Sequence, residues 1–333
     1  MQMIRLQGLI ESMLKINFIL LFLWPVQSSY AQKKDSLQNV HCFVKKNYIQ
    51  PYIGTFKRSI NLLSNQHCEE MNNLRFSPNS SAFAGISLNY KRLNIYLETA
   101  MPNTHKVDRS NSDVRSTALF VHHFQKKWGV TGFVSWNKGL LMFMPSQGMY
   151  GDRNDLRMIT AGTHIYNIFN GEKFSYSAAN SMTKQQTKSK GSLLLMTTPM
   201  YRKLYSSESI IPDSVRPVHL NGTSAPSKSL QFFSLQCKPG YTYNFIFKEG
   251  RYFIAPAVYA GAGIDYHTFK AAEELYGGIN FNTGYRVKFV TGINCEKFYL
   301  TLEYLRDKSI GYLYKTDIEN TYTELSCNLG IRF

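Results

Sequence analysis

Between Tyr322 and Phe333 apolar and polar residues alternate almost without a break. Thr323, Leu325, Cys327, Leu329, Ile331 and Phe333 share one parity; Tyr322, Glu324, Ser326, Asn328, Gly330 and Arg332 share the other. A β-strand sends successive side chains to opposite faces, so the segment predicts a strand with one apolar and one polar face. Terminal residues of soluble domains usually fray. An apolar row that runs out to Phe333 fits instead the closing strand of a membrane barrel, whose terminal aromatic resembles the signal read by bacterial insertion machinery.

The same period recurs upstream. Leu93, Ile95 and Leu97 alternate with Asn94, Tyr96 and Glu98, and Phe174, Tyr176 and Ala178 with Ser175, Ser177 and Ala179. From Phe233 to Phe247 the odd positions are apolar or aromatic but for Cys237 and Pro239, and Ser234, Gln236, Lys238, Gly240, Thr242 and Asn244 sit between them. The longest run, Leu275 to Ile293, sets Ile279, Phe281, Tyr285, Val287 and Phe289 against Asn280, Asn282, Arg286 and Lys288. Phe298 to Tyr304 continues the pattern, whereas 113–126 and 155–169 alternate less cleanly.

Turn signals separate these runs at Asn89-Tyr90-Lys91, Asn137-Lys138-Gly139, Asn170-Gly171, Glu249-Gly250 and Asn294-Cys295-Glu296; Asn170-Gly171 reads as a tight hairpin. Longer polar breaks lie near 102–112, 145–154, 206–228 and 306–320. Alternating short and long connections are those of periplasmic turns and extracellular loops. The expected fold is all-β: a transmembrane antiparallel β-barrel of about 12 strands, with 10–14 as the range. A soluble sandwich or lipocalin-like barrel also alternates, but strand length and aromatic density point to the membrane.

The N-terminus agrees. Lys15 precedes an apolar run from Ile16 to Val26, and Ser29-Tyr30-Ala31 is a small-x-small cleavage site. That is the pattern of a secretory signal peptide, cut between Ala31 and Gln32, with Met13 a candidate start. The run is shorter than the roughly 20 residues of a spanning helix. The expected organisation is a signal peptide over 1–31, a periplasmic segment over 32–50 and an outer-membrane barrel over 51–333. Composition fits: 14% aromatic residues with 22 Tyr and 22 Phe, yet a mean hydropathy of only −0.27, as when half the strand positions face lipid.

The net charge of +16 is spread along the chain. Export and strand pattern make nucleic acid a poor partner, and anionic lipid headgroups or surface polysaccharide a better one. The expected partners are therefore outer-membrane lipid and, through the strand ending at Phe333, the barrel-assembly machinery.

The residues also resemble a known family. Arg75-Phe-Ser-Pro-Asn79, then Leu88-Asn-Tyr-Lys-Arg-Leu93, are similar to the start of a Bacteroidota outer-membrane β-barrel family known only as a domain of unknown function. Asp155-Leu-Arg157, Tyr166 to Asn170, Lys173 to Ala179, Gln185-Gln186 and Lys190-Gly-Ser192 continue the resemblance, which spans roughly 45–333. It implies a barrel and the outer membrane, and no catalytic residues.

The residues offer little enzyme chemistry. There is no GxSxG elbow, and His122 and His123, being adjacent on a strand, face opposite sides; His164 lies on another strand. Asp108, Asp113, Asp152 and Asp155 fall in or beside loops, where spacing alone makes no calcium site. Five cysteines show no metal pattern: Cys237, Cys295 and Cys327 read as small apolar residues on strands, while Cys42 and Cys68 are a possible periplasmic pair. No catalytic residue, metal or cofactor is expected.

If the apolar rows face lipid, the inward charges are Glu98, Lys238, Glu274, Arg286, Lys288, Glu303, Glu324 and Arg332. They either pair across the barrel or line a passage. About 12 strands enclose more space than side chains readily fill, so the segment before residue 50 or the 206–228 loop is a candidate plug. The resulting expectation is a structural or passive pore-like outer-membrane barrel. A surface ligand-binding or adhesive barrel and a lipid-modifying enzyme are the alternatives.

Overall fold

The computed structural model describes residues 39–333 except 65–72, 92, 105, 107–113, 145–148, 211–226, 272–273 and 314–315. The expected signal peptide, Cys68, Asp108 and Asp113 lie outside these residues. The elements are β1 (Val40–Cys42), β2 (Tyr48–Ser64), β3 (Leu74–Pro78), β4 (Ala82–Tyr90), β5 (Leu93–Ala100), β6 (Arg115–Phe124), β7 (Trp128–Met144) and β8 (Met149–Ile168). After these come the short helix α1 (Tyr176–Asn180), β9 (Lys184–Gln186), β10 (Lys190–Tyr205), β11 (Ser227–Phe247), β12 (Tyr252–Ala271), β13 (Glu274–Asn294), β14 (Phe298–Leu313) and β15 (Thr316–Arg332).

Twelve antiparallel strands close into a barrel: β2, β4 to β8 and β10 to β15, with β15 paired to β2. The row that starts at Tyr48 passes Asn89, Asn94, His122, Thr131 and His164. Followed through the remaining ladders it returns to β2 at Leu62, fourteen residues on. A stagger of that size goes with strands tilted by about 40°.

The alternation sorts as the sequence pattern predicts. Leu325, Leu329, Ile331 and Phe333 are exposed on β15 and just beyond it, as are Ile95 and Leu97 on β5 and Phe281 and Phe289 on β13. Predominantly apolar rows on the outside of a closed barrel are a lipid-facing belt. Short connections lie at one end: β4–β5, β6–β7, β11–β12 and β13–β14. This is the periplasmic end by the usual rule for such barrels.

At the opposite, loop end the wall changes. β4, β5 and β6 are short, with 9, 8 and 10 residues, whereas β2 and β7 both have 17. β3 fills the gap, pairing through Leu74 to Phe76 with β2 and through Arg75 to Pro78 with β7. The twelve-strand barrel therefore continues as a narrower one of ten. The seam beneath β3 is closed by Thr104, which accepts at its carbonyl from the Ser81 N–H at 3.1 Å, and by Lys106 Nζ, which donates to Pro78 O at 2.9 Å.

Five local expectations are corrected. Asn137-Lys138-Gly139 is no turn; β7 runs straight through it, with a register shift between Lys138 and Leu140 and Gly139 at φ 73°. That is a bulge, for which glycine's tolerance of positive φ gives the same local signal as a turn. The 306–320 break is mostly strand, the upper part of the β14–β15 hairpin. Cys295 lies between β13 and β14 rather than on a strand. Finally, Asn170-Gly171 turns the chain into the barrel instead of into a hairpin, and Phe174 to Ala179 is not a strand but the approach to α1 and the helix itself.

Candidate functional site

The lumen is closed at both ends by the chain itself. At the loop end, inward residues that would be polar in an open pore are apolar. Ile60 and Leu62 of β2, Phe76 of β3, Met142 of β7, Leu230 and Phe232 of β11 and Phe269 of β12 belong to one buried cluster. Ile210 joins it from the loop after β10. That loop is strapped down by Arg153, which grips Asp155 through Nε and Nη2 at 2.8 and 2.9 Å and donates to the carbonyls of Ser209 and Ile210. Asp155 is thus occupied structurally. Ten strands enclose a section that large apolar side chains fill, so this end is a packed core.

The periplasmic end is closed by the connection between β8 and β10. The turn at Gly171 packs so tightly on the β6–β7 turn that a Cβ there would lie 2.0 Å from Lys126 O. The chain then enters the lumen, where Phe174, Tyr176, Ala178, Ala179 and Met182 are buried against the inner wall. Their burial on every side explains the misread alternation, because a plug presents no solvent face. β9 leaves the lumen paired antiparallel with β1, so the N-terminal segment does take part in the closure. Among the described residues of the 206–228 loop, Ile210 adds its side chain to the loop-end seal, and Ser206 and Ser209 are held by Arg153.

Wall residues fix the plug in place. Tyr48 Oη donates to Ser181 O at 2.6 Å, and Gln186 Oε1 accepts from the Ser175 N–H at 3.0 Å and from Asn244 Nδ2 at 3.1 Å. Asn294 accepts at its carbonyl from Gln185 Nε2 at 2.9 Å and donates through Nδ2 to Lys184 O at 3.1 Å. Arg332 is the centre of the latch: it donates to Cys295 O and Asn294 Oδ1 at 2.6 Å and to Met182 O at 2.7 Å. Its guanidinium lies 3.8 Å from the centre of the Phe43 ring. Just outside, the Val44 N–H donates to Glu296 Oε1 at 3.0 Å and is the main cause holding that carboxyl below its usual range.

Between the two seals lie two chambers of about 130 Å³ each. Both touch Phe120, His164 and Arg286. Glu98, Arg286, Lys288, Glu303 and Glu324 line the lower chamber, and Lys238 and Arg286 the upper. Arg332 is instead in the latch, and the side chain of Glu274, in β13, lies outside the description. The charges between the chambers form a ladder: Lys238 Nζ lies 3.3 Å from Asp307 Oδ1, Arg286 Nε 3.0 Å from Asp307 Oδ2, and Lys288 Nζ 2.7 Å from Glu303 Oε1. Asp307 is the hub, and it was not among the predicted inward charges. Its signal was parity, since it continues the inward row Glu303, Leu305 of β14. Arg58 was also missed. It lies 4.8 Å over the Tyr322 ring and donates to Ser135 Oγ at 3.1 Å.

The histidines resolve by register. His122 and His164 both reach the lower chamber, because β7 sets Thr131 opposite each of them. His122 Nδ1 lies 3.0 Å from Thr131 Oγ1, and His164 Nδ1 2.9 Å from Thr198 Oγ1. Among the described residues neither imidazole has a carboxylate on its other nitrogen, and no three His, Cys, Asp or Glu groups are placed to hold a metal. His123 packs instead against Trp128, at 5.4 Å between rings.

The family model for a domain of unknown function (DUF4421) matches residues 35–333. The chain belongs to the DUF4421 family. The blocks at Lys173 to Ala179 and Gln185-Gln186, through which the sequence resembles that family, are the plug of this DUF4421 barrel. The curated proteins contain no match. Among solved structures, the outer membrane protease OmpT from Escherichia coli aligns at TM-score 0.41 and 9% identity, covering 87% of this chain and 98% of that one. The TodX monoaromatic hydrocarbon channel, in a deltaS2 mutant, aligns at TM-score 0.33 and 8% identity over 87% and 91%. Ail, the attachment invasion locus protein of Yersinia pestis, in complex with sucrose octasulfate, aligns at 0.20 and 9% over 85% and 99%.

Proposed function

We propose that this protein serves as a sealed, structural barrel of the outer membrane, non-conducting at rest. The observation that carries this reading is the double closure, with a packed apolar core at one end and a latched plug at the other. The paired charges between the seals support it. A ladder of three cations held on two carboxylates braces one wall against another, whereas a conducting pore leaves its rings of charge facing water.

Export through residues 1–31 and assembly through β15 belong to the same proposal, with lipid as the partner of the belt formed by Leu325, Leu329, Ile331 and their neighbours. The enzyme alternative has no support in the histidine geometry. A liposome-swelling assay with a small neutral sugar tests the reading. Vesicles carrying the folded protein should swell no faster than protein-free vesicles, and rapid swelling would overturn it.

A further inference from the structure

The lower chamber is better built for a ligand than the ladder alone requires. Its basic groups are already engaged: Lys288 with Glu303, and Arg286 with Asp307. Two of its acidic groups, Glu98 and Glu324, are not. Among the described residues Glu98 and Glu324 form no ion pair within 4 Å, and the hydrogen bonds to Glu324 come from neutral hydroxyls, Tyr322 Oη at 2.5 Å and the Ser326 side chain. Half-buried carboxylates without a cation in direct contact carry a desolvation cost.

A second observation points the same way. Tyr52 is 6% exposed, lines the same chamber, and its Oη has no hydrogen-bond partner. Gly85 makes room for it, since a Cβ there would lie 2.5 Å from that oxygen. The remaining wall is largely aromatic, with Tyr96, Phe124 and Tyr166 among its members.

We propose that this chamber binds a compact organic ammonium ion. Glu98 and Glu324 supply its counter-charge, Tyr52 Oη accepts one of its N–H groups, and the ring faces supply cation–π attraction. An inorganic ion is disfavoured by the lack of a metal-grade donor set among the described residues. The volume of about 130 Å³ sets the size limit, since a cavity of about 150 Å³ takes a benzene-sized guest. Entry and exit pass the plug, whose Tyr176 and Asn180 form part of the chamber wall. The inference rests on the sealed reading only for this slow exchange. Binding and vesicle swelling are separate readouts, so either can fail alone.

The test is calorimetric titration of the full barrel in detergent micelles with propylammonium chloride, alongside propan-1-ol and sodium propionate. Each is run on the wild type, on Glu98→Gln/Glu324→Gln, and on Arg332→Gln, whose loosened latch removes the access barrier. A gel-mobility shift on heating confirms that each variant is folded. Propylammonium should bind at least about tenfold more tightly than propan-1-ol or propionate, and the double variant should lose at least about tenfold of that affinity. No binding in either the wild type or Arg332→Gln, equal binding of the alcohol, or full retention in the folded double variant would each overturn the proposal.

Discussion

Replacing Asp307 with alanine should lower the stability of the folded barrel by about 3–5 kcal/mol. The reason is the company it keeps. Lys238 is 2% exposed and Arg286 lies across the β13–β14 ladder, and both cations rest on this one carboxylate. Removing it leaves two charges facing each other inside a closed lumen. Asp307→Asn keeps the shape and a hydrogen-bond acceptor, so it should cost less. Replacing the triad together, Lys238→Met with Arg286→Met and Asp307→Leu, should restore much of the loss, because the desolvation penalty leaves with the charges. Urea unfolding midpoints in lipid vesicles measure all three. A midpoint for Asp307→Ala equal to that of the wild type would show that water, not Asp307, satisfies these cations.

Arg332→Ala should weaken the docking of the plug by about 3 kcal/mol and release it. Three charge-assisted hydrogen bonds from one guanidinium tie Met182 of the plug to Asn294 and Cys295 of the wall, with Phe43 stacked beneath. Arg332→Lys should behave almost as badly, since a single ammonium cannot reproduce the planar fork. The readout is trypsin cleavage after Lys184, half-buried in β9, against the unfolding midpoint of the whole barrel. The variant should be cut at least about tenfold faster there at little change in barrel integrity, given that about 1.4 kcal/mol is a factor of ten in an open population. Unchanged cleavage would mean that β1 and the Gln185–Asn294 contacts hold the plug without Arg332.

What the sequence disclosed follows from how each element meets its solvent. β5, β11, β13 and β15 were legible because one face meets lipid and the other a polar lumen, so parity alone sorts their side chains. The plug was not, because Phe174, Tyr176 and Ala178 are buried on all sides and their spacing no longer reports a face. The apolar seal was hidden for a related reason. Ile60, Leu62, Phe232 and Phe269 point inward where a pore-like barrel would carry polar residues, so parity there gives no contrast. Asp307 gives no clear strand signal because it sits in a polar cluster, Arg306 to Ser309, that reads as a loop. The meeting of His122 with His164 depends on register across three strands, which no single segment encodes.

The central claim is that two independent seals close the lumen in series, and conductance across planar bilayers tests it directly. Four proteins are needed: the wild type, a plug variant with residues 171–188 replaced by a short Gly-Ser linker, a loop-end variant carrying Phe76→Ala, Phe232→Ala and Phe269→Ala, and the combination. Only the combination should conduct. Steady current through the wild type, or through the plug variant alone, would contradict the account.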